Sequence, residues 1–168
     1  MVVYGASGAV GTSAVQLAKH FGAEVVGVCS ATNRELVTSL GADAVLDYRK
    51  EDFTRKGDTY DLIFIAVGNR VSPPSRAQCE KALSAGGAYV SVDRGRPKLP
   101  FENLLLLKQL AETGKLKAII DRSYLLEQIV EAHMYVCRCW SQEGECGDNG
   151  GLETHPGTRV FEPKISVT

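Results

Sequence analysis

The sequence predicts an α/β fold: a doubly wound, parallel sheet of five to six strands in a single domain. Three observations predict it. Short apolar runs rich in valine and isoleucine recur along the first half of the chain, each closed by glycine, aspartate or serine, as strands buried on both faces are. Between them lie stretches with apolar residues three and four apart, each the length of a crossover helix. The 168 residues are 44% hydrophobic and 23% charged, which supports one packed core.

The strands, in order, are "MVVYG", "AEVVGVC", "AVLDY", "YDLIFIAVG" and "GAYVSVD". Thr12 to Phe21, Arg34 to Leu40 and Ser75 to Leu83 supply the helices that connect them. The stretch "RKEDFTRKGDT" is charged and turn-rich, and reads as a solvated short helix or loop rather than core. From Phe101, "FENLLLLKQLAETGKLK" reads as a helix that stops at Gly114. "AIIDRSYLLEQIVEAHMYV" follows as a short strand and an amphipathic helix. After Val136 the periodicity ends, and Cys137 to Thr168 reads as an irregular tail rich in glycine and polar residues.

Charge and cysteine content exclude several function classes. A net charge of -1 provides no basic face for nucleic acid or an anionic membrane surface. No run approaches the length of a membrane span and no apolar signal core opens the chain, so the expected compartment is the cytoplasm. Cys29 and Cys79 read as single buried or half-buried thiols, while Cys137, Cys139 and Cys146 cluster near the end. The C-x-C pair followed by a gap of six fits no common zinc site, even with His133 or His155 added, and no metal ligand is expected.

The chemistry concentrates in the first turn. Val2 to Tyr4 runs into Gly5, Ala6, Ser7, Gly8, Ala9, Val10 and Gly11, and a helix follows at once. Glycines here permit a tight turn and let the backbone approach a pyrophosphate, whose charge meets amide groups and the positive end of the helix dipole. The position after the first strand of a βαβ unit is the context that makes such a turn a dinucleotide site. The end of the second strand then selects the dinucleotide. A site for NAD places a carboxylate there to accept from the ribose hydroxyls. Here Cys29 and Ser30 offer none, and Ser30, Thr32, Asn33 and Arg34 present donors that suit a 2′-phosphate. The reading is NADP(H).

Other enzyme classes fit poorly. The fourth residue after every tyrosine is something other than lysine, against a Tyr-x-x-x-Lys catalytic pair, and the turn lacks the Gly-Lys-Ser/Thr of a triphosphate loop and the G-x-S-x-G of a hydrolase elbow.

"VVYGASGAVGTSAVQLAKHFGAEVVGVCSATNRELVTSLGADAVLDYRKEDF", with "YDLIFIAVG" and "GGAYVSVD", resembles the coenzyme domain of the zinc-independent medium-chain dehydrogenases/reductases, the quinone reductase or zeta-crystallin-like group. The resemblance spans about Met1 to Val136 and implies a Rossmann fold. It implies that Ser7 to Val10 contact the pyrophosphate, that Ser30, Asn33 and Tyr48 line the adenosine and 2′-phosphate, and that Val67 and Ser91 approach the nicotinamide. The expected activity is NAD(P)H-dependent hydride transfer to a quinone, enone or similar small carbonyl substrate; the alternative is a truncated, non-catalytic NADP(H)-binding module. No residue in this chain is expected to be catalytic, because the family's substrate-binding domain would precede Met1. The expected organisation is residues 1–112 as the NADP(H)-binding domain, 113–136 as a segment that packs on that missing domain, and 137–168 as the tail. Apolar surface left along "AIIDRSYLLEQIVEAH" predicts self-association, as a homo-oligomer, or instability. The tail also departs from the family ending, yet one encoding of Cys137 to Asn149 read one nucleotide later gives "VDAGHKKGNVVI", which resembles that ending. A shifted reading frame after Val136 is therefore expected.

Overall fold

The computed structural model describes residues 1–68, 73–93 and 100–141, the last five as backbone alone. Strands β1 (Val2–Tyr4), β2 (Val26–Cys29), β3 (Ala44–Asp47), β4 (Tyr60–Ile65) and β5 (Leu83–Ser91) form one sheet, all parallel, in the order β3-β2-β1-β4-β5. Helices α1 (Ala9–His20), α2 (Arg34–Ser39) and α3 (Arg76–Lys81) connect strands, and α4 (Phe101–Glu112) and α5 (Ile129–Ser141) follow the sheet.

Alternating side chains divide the core into two layers. Val2 and Tyr4 pack with Val28, Ile63, Ile65 and Cys79 on the α3 face. Val3 packs with Ala6, Val15, Val25 and Val37 on the face covered by α1 and α2. Burial on both faces explains the unbroken apolar runs of β1 and β2, whereas the edge strand β5, also expected to be buried on both faces, leaves Val90 45% exposed because no strand pairs beyond it among the described residues.

The segment "SLGADAV" joins the layers at the bottom of the sheet. Asp43 accepts from Lys19 Nζ at 2.8 Å and from the Val25 N–H at 2.7 Å, which ties α1, β2 and the start of β3 together. The Lys19 ammonium, with the Val25 amide, holds the Asp43 carboxyl below the ordinary carboxylate range.

Several expectations are corrected. Helix α1 starts three residues earlier than its apolar spacing indicates, because Gly8 and not a side chain forms its N-cap. Ser75 lies outside α3 as its cap: its Oγ accepts from the Gln78 N–H while Gln78 Oε1 accepts from the Ser75 N–H, a capping box. Leu83 begins β5 instead of ending that helix. Phe53, in the charged stretch read as solvated, is 2% exposed and packs its ring toward Tyr4 and Tyr60, because the 3₁₀ turn Phe53–Arg55 lies across one face of the sheet. Ala118 to Asp121 form no strand, since among the described residues no ladder partner reaches them, and Ile120 is 69% exposed. The sheet thus has five strands among the described residues. Helix α5 continues to Ser141, into the stretch read as irregular tail, as helix propagation needs less sequence signal than initiation. The residues beyond it, which include most of the segment expected to be out of frame, lie outside the described residues.

Candidate dinucleotide site

The order β3-β2-β1-β4-β5 sends the chain from β1 to one side and later returns it to the other, so the sheet reverses direction between β1 and β4. In open α/β sheets the crevice above the strand ends at such a reversal is where ligands bind. The turn leaving β1 lies at that point.

Its glycines do different work. Gly5 has φ +83°, and its N–H and that of Ala6 both donate to Val28 O, at 2.9 and 3.0 Å, so the turn is fastened to β2. A Cβ on Gly5 would lie 2.4 Å from Val67 Cγ1; one on Gly11 would lie 2.0 Å from Gly5 O and 2.8 Å from Ala6 Cα. Gly5 and Gly11 are therefore required for the close seating of strand, turn and helix. Gly8 has ordinary space around it and is exposed with Ala9 and Val10. It caps α1 with no side-chain hydrogen bond, and no acidic residue occupies the first helical turn. The first amides of a helix lack intrahelical acceptors, so this exposed end presents donors and the positive end of the dipole to an anion.

On the β2 side the polar residues converge. Ser30 follows β2, and Asn33 closes the 3₁₀ turn Ala31–Asn33. The Asn33 Nδ2 donates to Ser30 Oγ at 3.2 Å and Ser7 Oγ at 3.4 Å, joining the glycine turn to the β2 end. Arg34, exposed at the start of α2, lies close enough to Cys29 and Glu51 for its charge to act on both. The Tyr48 N–H donates to Cys29 O at 3.2 Å, which puts Tyr48 beside Ser30. Its ring lines a cavity of about 230 Å³ with Tyr4, Glu51, Asp52 and Phe53, and the Arg49 guanidinium sits 5.7 Å from the ring centre. Tyr4, Arg49 and Glu51 were not singled out from the sequence. Tyr4 reads as one more strand residue, and its place at this cavity depends on β1 lying two strands from β3.

On the other side Val67 packs against Gly5, so it does reach the turn. Ser91 ends β5 in register with Ile65 and its Oγ accepts from the Asp93 N–H at 3.4 Å. It stands at the same end of the sheet, separated from β1 by β4. The predicted residues thus form one hydrogen-bonded group, Ser7, Ser30 and Asn33, with Tyr48 adjoining, and a second set across β1.

The buried thiols are not reactive groups. Burial pushes Cys29 up to about 11, against the opposing charge of Arg34, and pushes Cys79 to about 11 as well. Both stay protonated at neutral pH and act as small apolar side chains. Among the described residues no three His, Cys, Asp or Glu side chains come together to hold a metal. Cys146 and His155 lie outside the described residues, as do the side chains of Cys137 and Cys139.

Known proteins place the chain. Residues 9–116 match the family model described as zinc-binding dehydrogenase, and the chain belongs to that family. It is 34% identical over 148 residues to 2-methylene-furan-3-one reductase of Solanum lycopersicum, covering 81% of this chain and 37% of that one. It is 32% identical over 151 residues to the chloroplastic NADPH-dependent alkenal/one oxidoreductase of Arabidopsis thaliana, again covering 81% and 37%. The quinone oxidoreductase of Coxiella burnetii superposes with a TM-score of 0.62 at 25% identity, over 85% of this chain and 50% of that one. The chain therefore spans half or less of the length of these relatives.

Proposed function

We propose that this chain is the coenzyme-holding part of an NADPH-dependent reductase of quinones, enones or similar small carbonyl compounds. The observation that carries the cofactor half is the end of β2: Ser30 stands where NAD-specific sites place a carboxylate, and Asn33, Arg34 and Tyr48 surround it. Gly8, Ala9 and Val10 would meet the pyrophosphate at the helix end, Ser7, Ser30, Asn33, Arg34 and Tyr48 the adenosine and its phosphate, and Val67 and Ser91 the nicotinamide half. The bound cofactor supplies a hydride. The chain's own part is to hold it in one orientation, which is where proximity lowers the barrier. The substrate half of the reading is supported by the related reductases of furanones, alkenals and quinones.

Calorimetric titration with NADPH and NADH tests the cofactor reading. Saturable binding with NADPH tighter by about tenfold or more is expected from one charge-assisted phosphate contact. Equal affinities, or none, overturn it.

A second reading is a binding module without turnover, favoured by the exposed apolar surface of α5, which among the described residues has no covering partner. Stoichiometric NADPH binding with no oxidation of NADPH in the presence of quinone or enone selects it.

A further inference from the structure

Glu51 stands at the mouth of the adenosine side, in a place the sequence reading did not mark. Its N–H donates to Asp47 O at 2.8 Å, which fixes its backbone at the turn out of β3. Its side chain lines the same cavity as Tyr48, is 35% exposed, and pairs through Oε2 with Lys56 Nζ. The Lys56 hydrogen bond holds its carboxyl below the ordinary range, and the Arg34 charge adds to this to a smaller degree. The carboxylate is thus paired with Lys56 beside the Tyr48 cavity, with Arg34 near enough for its charge to act on it.

We propose that Glu51 is a specificity-determining residue: its carboxylate is the counter-charge against which a 2′-phosphate must compete for Arg34 and Lys56, and it limits the preference for the phosphorylated cofactor. The inference rests on the cofactor reading above and deepens it. With Glu51 ionised, Arg34, Lys56 and Glu51 sum to a single positive charge; without it they sum to two. Neighbouring charges do not substitute for it. Asp52 lines the same cavity but is committed to Thr54 N at 2.9 Å, Thr54 Oγ1 at 2.7 Å and Arg55 at 3.2 Å. Asp47 is buried and accepts from the Arg49 N–H at 3.0 Å. The Arg49 guanidinium sits 5.7 Å from the Tyr48 ring centre as a further cation, and Glu51 is the carboxylate that pairs with Lys56.

The test is calorimetric titration of the wild-type chain, Glu51→Gln, Glu51→Asp and Arg34→Ala with NADPH and NADH at low and moderate salt. Glu51→Gln should bind NADPH about three- to tenfold more tightly, change NADH by less than twofold, and lose most of the gain as salt rises, as expected for charges partly open to water. Glu51→Asp, which keeps the charge, should behave like wild type, and Arg34→Ala should weaken NADPH selectively. Glu51 lies at a half-exposed surface turn, so these variants are expected to fold. Unchanged or weaker NADPH binding by Glu51→Gln, in a wild type that prefers NADPH, overturns the inference and leaves the cofactor reading standing. An equal gain from Glu51→Asp also overturns it, since bulk and not charge would then be the cause. A wild type that binds neither nucleotide, or both alike, removes the cofactor reading and this inference with it.

Discussion

Two regions of this molecule carry similar apolar content and use it differently. From β1 to β4 the apolar side chains face inward on both sides of the sheet, and Val2, Val3, Val15, Val25 and Val37 are wholly buried. From α4 onward they face outward. Leu110 is the buried residue of α4, while Leu104 and Leu105 are about half exposed, and Leu125, Leu126 and Val130 are 70%, 82% and 68% exposed. The difference teaches that helical amphipathicity states a need for a covering surface, not where that surface is. For α1 the sheet supplies it within the described residues; for α5 they do not. Exposed apolar area on this scale is characteristic of surfaces that pack against another unit.

The largest contrast should come from the turn. Gly11→Ala puts a Cβ 2.0 Å from a backbone oxygen that no rotamer can move, and should cost about 4 kcal/mol or more, seen as failure to fold or a collapsed denaturant midpoint. A variant that folds as well as wild type would show that the two halves tolerate change alike. Phe53→Ala should cost about 3–5 kcal/mol by chemical denaturation, because it empties a buried site beneath the Tyr48 cavity; Leu126→Lys in the outward-facing region should stay within about 0.5 kcal/mol and reduce self-association in sedimentation.

The buried thiols make the same division visible in pH. Folded Cys29 and Cys79 titrate near 11 against an ordinary value of 9.0, so their protonated forms favour the folded state fully below about pH 9. As pH rises from there towards 11 the unfolded chain ionises first, and stability should fall by roughly 1–2 kcal/mol per thiol. Urea midpoints at several alkaline pH values check this, and the double variant Cys29→Ala, Cys79→Ala should flatten the profile.

A more local effect concerns the joint between the regions. Gln16 is 8% exposed on α1; its Nε2 donates to Lys117 O at 3.1 Å and its Oε1 accepts from the Lys117 N–H at 2.8 Å. Gln16→Ala should cost about 1–2 kcal/mol and speed amide exchange near Lys117 more than in the sheet. Exchange rising equally everywhere would mean that the later segment is no more separable than the core.

Legibility followed the range of the interactions involved. The five strands, the turn from Gly5 to Gly11 and the buried character of Cys29 and Cys79 were readable because two-sided burial and a phosphate-type turn leave dense local patterns. The placement of Ser30 and Asn33 beside the turn was readable from the turn's expected continuation at the β2 end. Phe53 was not, since a single aromatic amid "RKEDFTRKGDT" carries no period, and its burial depends on where β3 and β4 lie. Ala118 to Asp121 failed in the opposite sense: an apolar run promised a strand, but a strand exists only with a partner.

By itself the sequence determined the five strands of the sheet, the helices between them and where the chain can turn through Gly5, because those depend on backbone conformation and on periods of two and 3.6 residues. The tertiary structure decided which distant groups share a site: that Asn33 reaches Ser7, that Tyr4 and Glu51 border the cavity beside Tyr48, and that Gln16 clasps Lys117. Those pairings are set by strand order, and strand order is chosen by burying all faces at once, a global condition that no local stretch of residues encodes.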